Sequence, residues 1–228
     1  MQSAIKHTST AWDIELFVQP GHPDLASIQL FLDRVPRNSR VSMLPSHLVN
    51  TGTYDQNRVF INYITMRRTG SIWTYIRSEL IFFIQSDGVV CRPGIDKFTM
   101  YDYVGAPWIH QPDGLTVGNG GMSLRRRSFM LHCAENYTNH RNDPEDVFFG
   151  NCARDHGHVP EVETAKQFVE AIWFESPLTI HKPWEAQLFN PQWTSTQAWD
   201  NMLRVCPDIR TIPHFKQHFL NSTAPGTS

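Results

Sequence analysis

Leu80-Ile81-Phe82-Phe83-Ile84-Gln85-Ser86-Asp87-Gly88 is the stretch on which the fold turns. Its continuous apolar run predicts a central strand covered on both faces, as in the interior of a parallel sheet. Gln85-Ser86-Asp87-Gly88 ends the run abruptly. In open α/β sheets ligands sit outside the carboxyl ends of such strands, so Asp87 stands where a carboxylate can reach a cation or a diphosphate. Taken alone it reads equally as a turn aspartate before glycine.

Upstream, Ile14–Val18 alternates like a strand that Gln19-Pro20-Gly21 ends. Leu25–Leu32 has helical spacing with Asp24 as N-cap, and Val41–Leu44 reads as a short strand. Val59–Thr65 and Trp73–Ser78 suggest one or two helices broken near Gly70. Downstream, Tyr103–Ala106 is a second short strand, and Leu115–Leu124 carries the glycines Gly118, Gly120 and Gly121. Helices are predicted over Arg125–Tyr137, Pro144–Arg154 and Glu161–Glu170, followed by a strand-like Ala171–Phe174. The pattern thins after Trp184, and residues 223–228 read as a disordered tail behind one domain over residues 1–222. Strands alternating with helices predict an α/β layer sandwich with a largely parallel sheet.

With 228 residues, 40% of them hydrophobic and 18% charged, the chain can bury one sizeable core and falls outside the disordered class. A net charge of -2 supplies no field to draw it onto nucleic acid or anionic lipid. The densest basic cluster, Arg125-Arg126-Arg127, reads as a solvated helix start or a local anion contact. Met1–Thr10 is polar, and no apolar run approaches the roughly 18 residues of a membrane span. Direct membrane insertion is therefore not expected, and as written the chain reads as soluble. Cys91, Cys133, Cys152 and Cys206 form no CxxC pair, which argues against a zinc ribbon or a thioredoxin-like motif and leaves buried free thiols as the expectation. Two glycosylation sequons occur, at Asn136-Tyr137-Thr138 and Asn221-Ser222-Thr223, and prove no secretory route by themselves.

Three further motifs carry possible chemistry. Gly118-Asn119-Gly120-Gly121 offers a backbone able to take positive φ and to let a substrate approach closely, or else a tight turn between strand and helix. It matches neither a Walker A loop nor GxGxxG. Glu145-Asp146 opens a helix, where acids suit the dipole and cap it; functionally, Asp146 is a candidate general base. His181 follows an apolar stretch, as a structural histidine or as a further metal ligand beside Asp87. Trp108 and Trp184 lie next to candidate motifs, either as core residues or as faces on which a pyranose can pack.

In order, Phe83-Ile84-Gln85-Ser86-Asp87, Tyr101–Trp108, Val117–Arg126, Pro144–Phe149 and His181-Lys182-Pro183-Trp184 together resemble the DUF5672 family, a domain of unknown function grouped with GT-A-fold glycosyltransferases. The resemblance covers residues 60–185 well and the first 60 loosely. It implies a Rossmann-like GT-A fold with a mostly parallel central sheet flanked by helices, binding a nucleotide-diphosphate sugar with Mn²⁺ or Mg²⁺. It further implies Asp87 and His181 as metal ligands, and Gly120 and Gly121 lining the donor-sugar and acceptor side, with Gly118 and Asn119 in the same motif. Asp146, with Glu145 beside it, matches the acidic motif of inverting transferases, the aspartate serving as base toward a glycan or other hydroxyl acceptor. Lys182 or Arg125 would add charge near the diphosphate.

Two departures stand out. Gln85 and Ser86 replace the rest of the usual aspartate pair, and no strand precedes Ile14–Val18 to hold the nucleotide base, so the expected fold lacks its first N-terminal strand. These departures keep a second reading open, a non-catalytic nucleotide- or glycan-binding module, and a third, a metal-dependent hydrolase of a diphosphate or glycosidic bond.

Overall fold

The computed structural model describes residues 1–18, 20–48, 65–85, 87–108, 118–138, 143–169, 172–182 and 196–212. The chain begins with helix α1 (Gln2–His7), which its polar sequence had not suggested. Strand β1 (Ile14–Val18), helix α2 (Leu25–Leu32) and strand β2 (Ser39–Met43) follow, close to the predicted bounds. Asp24 occupies the N-cap of α2 without a side-chain cap hydrogen bond. Next come β3 (Leu80–Ile84), β4 (Gly88–Val90), β5 (Tyr103–Ala106) and β6 (Asn119–Arg126). Helices α3 (Arg127–Asn136), α4 (Glu145–His156) and α5 (Val162–Phe168) lead to β7 (Thr179–His181) and α6 (Thr196–Val205).

The chain is a mixed α/β protein, but its described strands form small sheets rather than one parallel sheet. β1 and β2 pair in parallel across the α2 connection. The second sheet has the order β3-β6-β5 with both pairings antiparallel, and β4 pairs antiparallel with β7. The expected mostly parallel central sheet is therefore corrected.

The apolar run misled through its position. β3 lies at the side of its sheet, and each of its residues is only half-buried. Both faces are nevertheless covered, as expected. Ile81 joins the core around Trp73, Tyr103 and Phe149, while Phe82 and Ile84 join the core around Phe98, Leu124 and Phe168. An unbroken apolar run reports two covered faces, not the number of neighbouring strands.

The middle strand is the glycine-bearing β6. It stays extended through Arg126, so the predicted helix begins at Arg127 and not at Arg125. The ladder Leu80↔Arg126 to Ile84↔Met122 holds these residues in the sheet. Likewise the predicted strand at Ala171–Phe174 gives way to Thr179–His181, and Trp73–Ser78 contains a short 3₁₀ turn at Ile72–Thr74 instead of a helix. The readings at Val59–Ile64, at Trp184 and at residues 223–228 lie outside the described residues.

The expectation of free thiols is overturned. Cys91 bonds Cys206, and Cys133 bonds Cys152 across α3 and α4. Both pairs unite residues remote in sequence, which spacing cannot reveal. Against β4–β7 pack Trp199, Met202, Ile209 and Ile212 from α6 and the 3₁₀ turn after it, a third core that Cys91–Cys206 ties together. Among the described residues no helix is long and apolar enough to cross a membrane.

Candidate functional site

Two of the predicted residues meet where β3 leaves its sheet. Gly88 pairs with His181 in the β4–β7 ladder, so Asp87 and Lys182 are the flanking residues of one strand pair, and the Lys182 N–H donates to Asp87 O over 3.2 Å. His181 Nε2 lies 3.1 Å from Asp87 Oδ1, and Lys182 Nζ lies 4.0 Å from Asp87 Oδ2. Lys182 has φ 46°, the one positive value at a non-glycine among the described residues. Such backbone costs on the order of 1 kcal/mol or more and is found mainly where a site fixes it. Burial pushes the Asp87 carboxyl up, but His181 and Lys182 outweigh this and its pKa is lowered.

Sequence reasoning passed over Gln85. Its Oε1 lies 3.2 Å from the same His181 Nε2. The Gln85 backbone N–H donates to Gly121 O, which extends the β3–β6 ladder by one residue and sets the side chain beside His181. The signal was present in the i, i+2 spacing of Gln85 and Asp87 about a turn. Two oxygen acceptors thus face one imidazole nitrogen. Asp87, Gln85 and His181 are the side chains here that could hold a small divalent cation.

The second cluster fills a gap between β5 and β6. Arg126 N–H donates to Asp102 O at one end of this pairing and Gly118 N–H to Ala106 O at the other. Between them the register shifts, leaving the Gly120 backbone unmatched by β5. Side chains take its place. Asp146 Oδ2 accepts from Gly120 N–H over 3.4 Å, and Gly120 O accepts from Ser123 Oγ and Arg125 Nη2. Arg125, 0% exposed, forms a two-pronged bridge to Glu145 at 2.8 and 3.0 Å. Phe83, Tyr103, Trp73 and Phe149 surround its guanidinium at 4.9 to 5.8 Å.

Arg125 is therefore part of a buried ion pair rather than a solvated charge. Arg126 and Arg127 are half-buried and also engaged, with Asp102 and with Trp73 O. Asp146 sits at the start of α4, where Pro144 and the helix N-terminus place it against Gly120. Burial, and next the charge of Glu145, raise its carboxyl to about 6, although the Val147 and Gly120 N–H groups and Arg125 pull the other way.

The glycine motif works differently from its expected role. Neither Gly118, Gly120 nor Gly121 takes a positive φ. Each is needed because a side chain lies where its Cβ would be: Trp108 at Gly118, Glu145 and Arg125 at Gly120, and the His181 ring at Gly121. Asn119 Oδ1 accepts from Gly121 N–H. The indole N–H of half-buried Trp108 has no hydrogen-bond partner among the described residues. Trp184 falls outside them. The structure thus brings Asp87, His181 and Lys182 into one cluster, Glu145, Asp146 and Arg125 into another, and sets Gly120 and Gly121 between the two.

No curated protein matches the chain. A family model described as "Protein of unknown function (DUF5672)" matches residues 57–181, from before β3 to His181 itself. That match takes in Asp87, the glycine strand and the Glu145-Asp146 pair and covers more than half of the sequence, so the chain belongs to the DUF5672 family.

Proposed function

We propose that this protein is a metal-dependent glycosyltransferase that moves a sugar from a nucleotide-diphosphate donor to an acceptor hydroxyl. The observation that carries the reading is the convergence of Asp87, Gln85 and His181 on one point, one strand away from a buried carboxylate of raised pKa. Asp87 and His181, with Gln85, would hold Mn²⁺ or Mg²⁺, which when bound neutralises charge on a leaving diphosphate. Lys182, fixed by its backbone beside Asp87, adds a positive charge on the same side. Asp146, held at about 6, is largely ionised at neutral pH yet basic enough to accept a proton from a hydroxyl. A single displacement with this base gives inversion at the sugar carbon. The α/β layering is compatible with a GT-A-like fold, which belongs to the same proposal.

A thermal-shift screen of UDP, GDP, CMP and their common sugars, each with and without Mn²⁺, tests the donor site. Stabilisation by one nucleotide only in the presence of metal, lost in Asp87→Ala, supports it; no shift with any of them would sink it.

One observation favours a second reading, a non-catalytic nucleotide- or glycan-binding module. Among the described residues no group of three His, Cys, Asp or Glu side chains gathers to hold a metal. That reading predicts nucleotide-sugar binding with neither transfer nor hydrolysis.

A further inference from the structure

One disulfide and one sequon meet on helix α3. Cys133 and Asn136 are one turn apart on α3, and Cys133–Cys152 ties that helix to α4. Tyr137, just past the helix end, is extended at φ -98° and ψ 147°. Its ring packs edge-on against His156 and Phe148, and its hydroxyl donates to Asp155 Oδ2 over 3.2 Å. Extended backbone sends neighbouring side chains to opposite sides. Tyr137 packs against α4 and Thr138 turns outward from it, while Asn136 ends the helix, and both Asn136 and Thr138 are exposed.

The Asn136 amide is accessible while its nitrogen keeps local partners. Nδ2 donates to His132 O over 2.9 Å. The same nitrogen lies 3.3 Å from His132 Nδ1, and since a primary amide carries two hydrogens, one can keep the bond to His132 O when the other is replaced. The second sequon, at Asn221, lies outside the described residues.

Disulfides form and persist in oxidising compartments and are rare where glutathione keeps thiols reduced. All four cysteines of the chain are paired. In eukaryotic cells the compartment that oxidises protein thiols is also the one where Asn-X-Thr sequons meet a glycan donor. We infer that Asn136 is an N-glycosylation site, modified in the same compartment that closes Cys133–Cys152 and Cys91–Cys206.

The donor is a lipid-diphosphate-linked oligosaccharide. The Asn136 nitrogen attacks the anomeric carbon, a C–N bond forms and the bond from that carbon to the diphosphate oxygen breaks. The lipid diphosphate leaves, and one amide proton passes to solvent. Each disulfide separately yields two electrons and two protons to a thiol oxidant of that compartment.

The test uses the full chain recovered from the cells that make it, non-reduced, with and without peptide N-glycosidase, followed by peptide mapping. The expected result is a mass lost on enzyme treatment, mapping to Asn136, in a protein with no free thiol. Asn136→Gln and Thr138→Ala should each remove it, whereas Thr138→Ser should keep it. Thr138→Ala leaves Asn136 and its hydrogen bonds in place, and so reads the sequon even if Asn136→Gln fails to fold. Disulfide-bonded protein with unmodified Asn136, a glycan on Asn221 alone, or four free thiols would overturn the inference.

Discussion

Asp146 and His181 press on neighbouring glycines of one strand. A side chain at Gly121 would collide with the His181 ring, and one at Gly120 would come within 3.1 Å of Asp146 Cβ while striking Glu145. β6 thus serves as the partition between a candidate cation site on its β3 side and a raised-pKa carboxylate on its β5 side.

Gly121→Ala tests the His181 side of that partition. The new methyl must push the imidazole away, which breaks the 3.1 Å contact with Asp87. Overpacking of this kind costs about 1–3 kcal/mol, so the protein should still fold. Its nucleotide-dependent thermal shift with Mn²⁺ should fall by tenfold or more in apparent affinity. An alanine variant that binds as well as the parent would separate His181 from the metal.

Asp146→Asn should stabilise the protein at neutral pH. Unfolded, the carboxyl titrates near 3.8; folded, it is held at about 6. Between those values the unfolded chain has released a proton that the folded chain keeps, so stability falls as pH rises through the window and stays low above it. The ionised carboxylate costs roughly 3 kcal/mol at pH 7. Denaturant melts at pH 4 and pH 7.5 should show that the variant gains stability only at the higher pH. Transfer activity should vanish in the same variant while donor binding persists; unchanged turnover would remove Asp146 from the base role.

Much of the local structure was legible in the residues, and the assembly was not. Ile14–Val18, Leu25–Leu32, Leu80–Ile84 and Tyr103–Ala106 form as their patterns predict. Each rests on short-range rules of alternation, helical spacing or apolar continuity. Sheet order depends on partners distant in sequence, which is why β3 was assigned the centre that β6 occupies.

The site shows the same division. Asp87 and His181 were legible through the ordered motifs, and they do meet. Gln85 was read only as a departure from the usual aspartate pair, although its side chain meets His181 as well. Arg125 was misread because a triple-arginine tract looks solvated until a strand buries its first member. Amphipathic α6 escaped notice, although Trp199 and Met202 sit three residues apart on its buried face.

The Arg125–Glu145 bridge is buried next to Asp146 and acts on its charge. Removing one partner of a buried ion pair typically costs about 3–5 kcal/mol because the other charge is left uncompensated. Arg125→Met and Glu145→Gln should each lose stability on that scale, and Arg125→Met with Glu145→Leu should recover much of it. The pair also acts on Asp146 in opposite senses: Glu145 raises its pKa and Arg125 lowers it. Titration of Asp146 by carbon-detected NMR should therefore move down in Glu145→Gln. A carboxyl that does not shift there would limit the pair to a structural role.

The two disulfides should separate stability from binding. On the chain-entropy model, closing the 115-residue separation of Cys91–Cys206 contributes about 5 kcal/mol and the 19-residue separation of Cys133–Cys152 about 3 kcal/mol. Their places in the fold differ more than these figures do. Cys91 N–H donates to Leu178 O and so continues the β4–β7 ladder, the pair of strands that sets Asp87 against His181. Cys206 brings α6 down on the same strands. Cys133–Cys152 instead joins two helices behind β6. Replacing Cys91 and Cys206 with alanine should therefore lower both the denaturation midpoint and the Mn²⁺-dependent nucleotide affinity. Replacing Cys133 and Cys152 should lower the midpoint alone. Calorimetric titration of both variants below their unfolding transitions checks the difference. Equal binding by the two would mean that the β4–β7 pair holds Asp87 and His181 in place without its covalent tie.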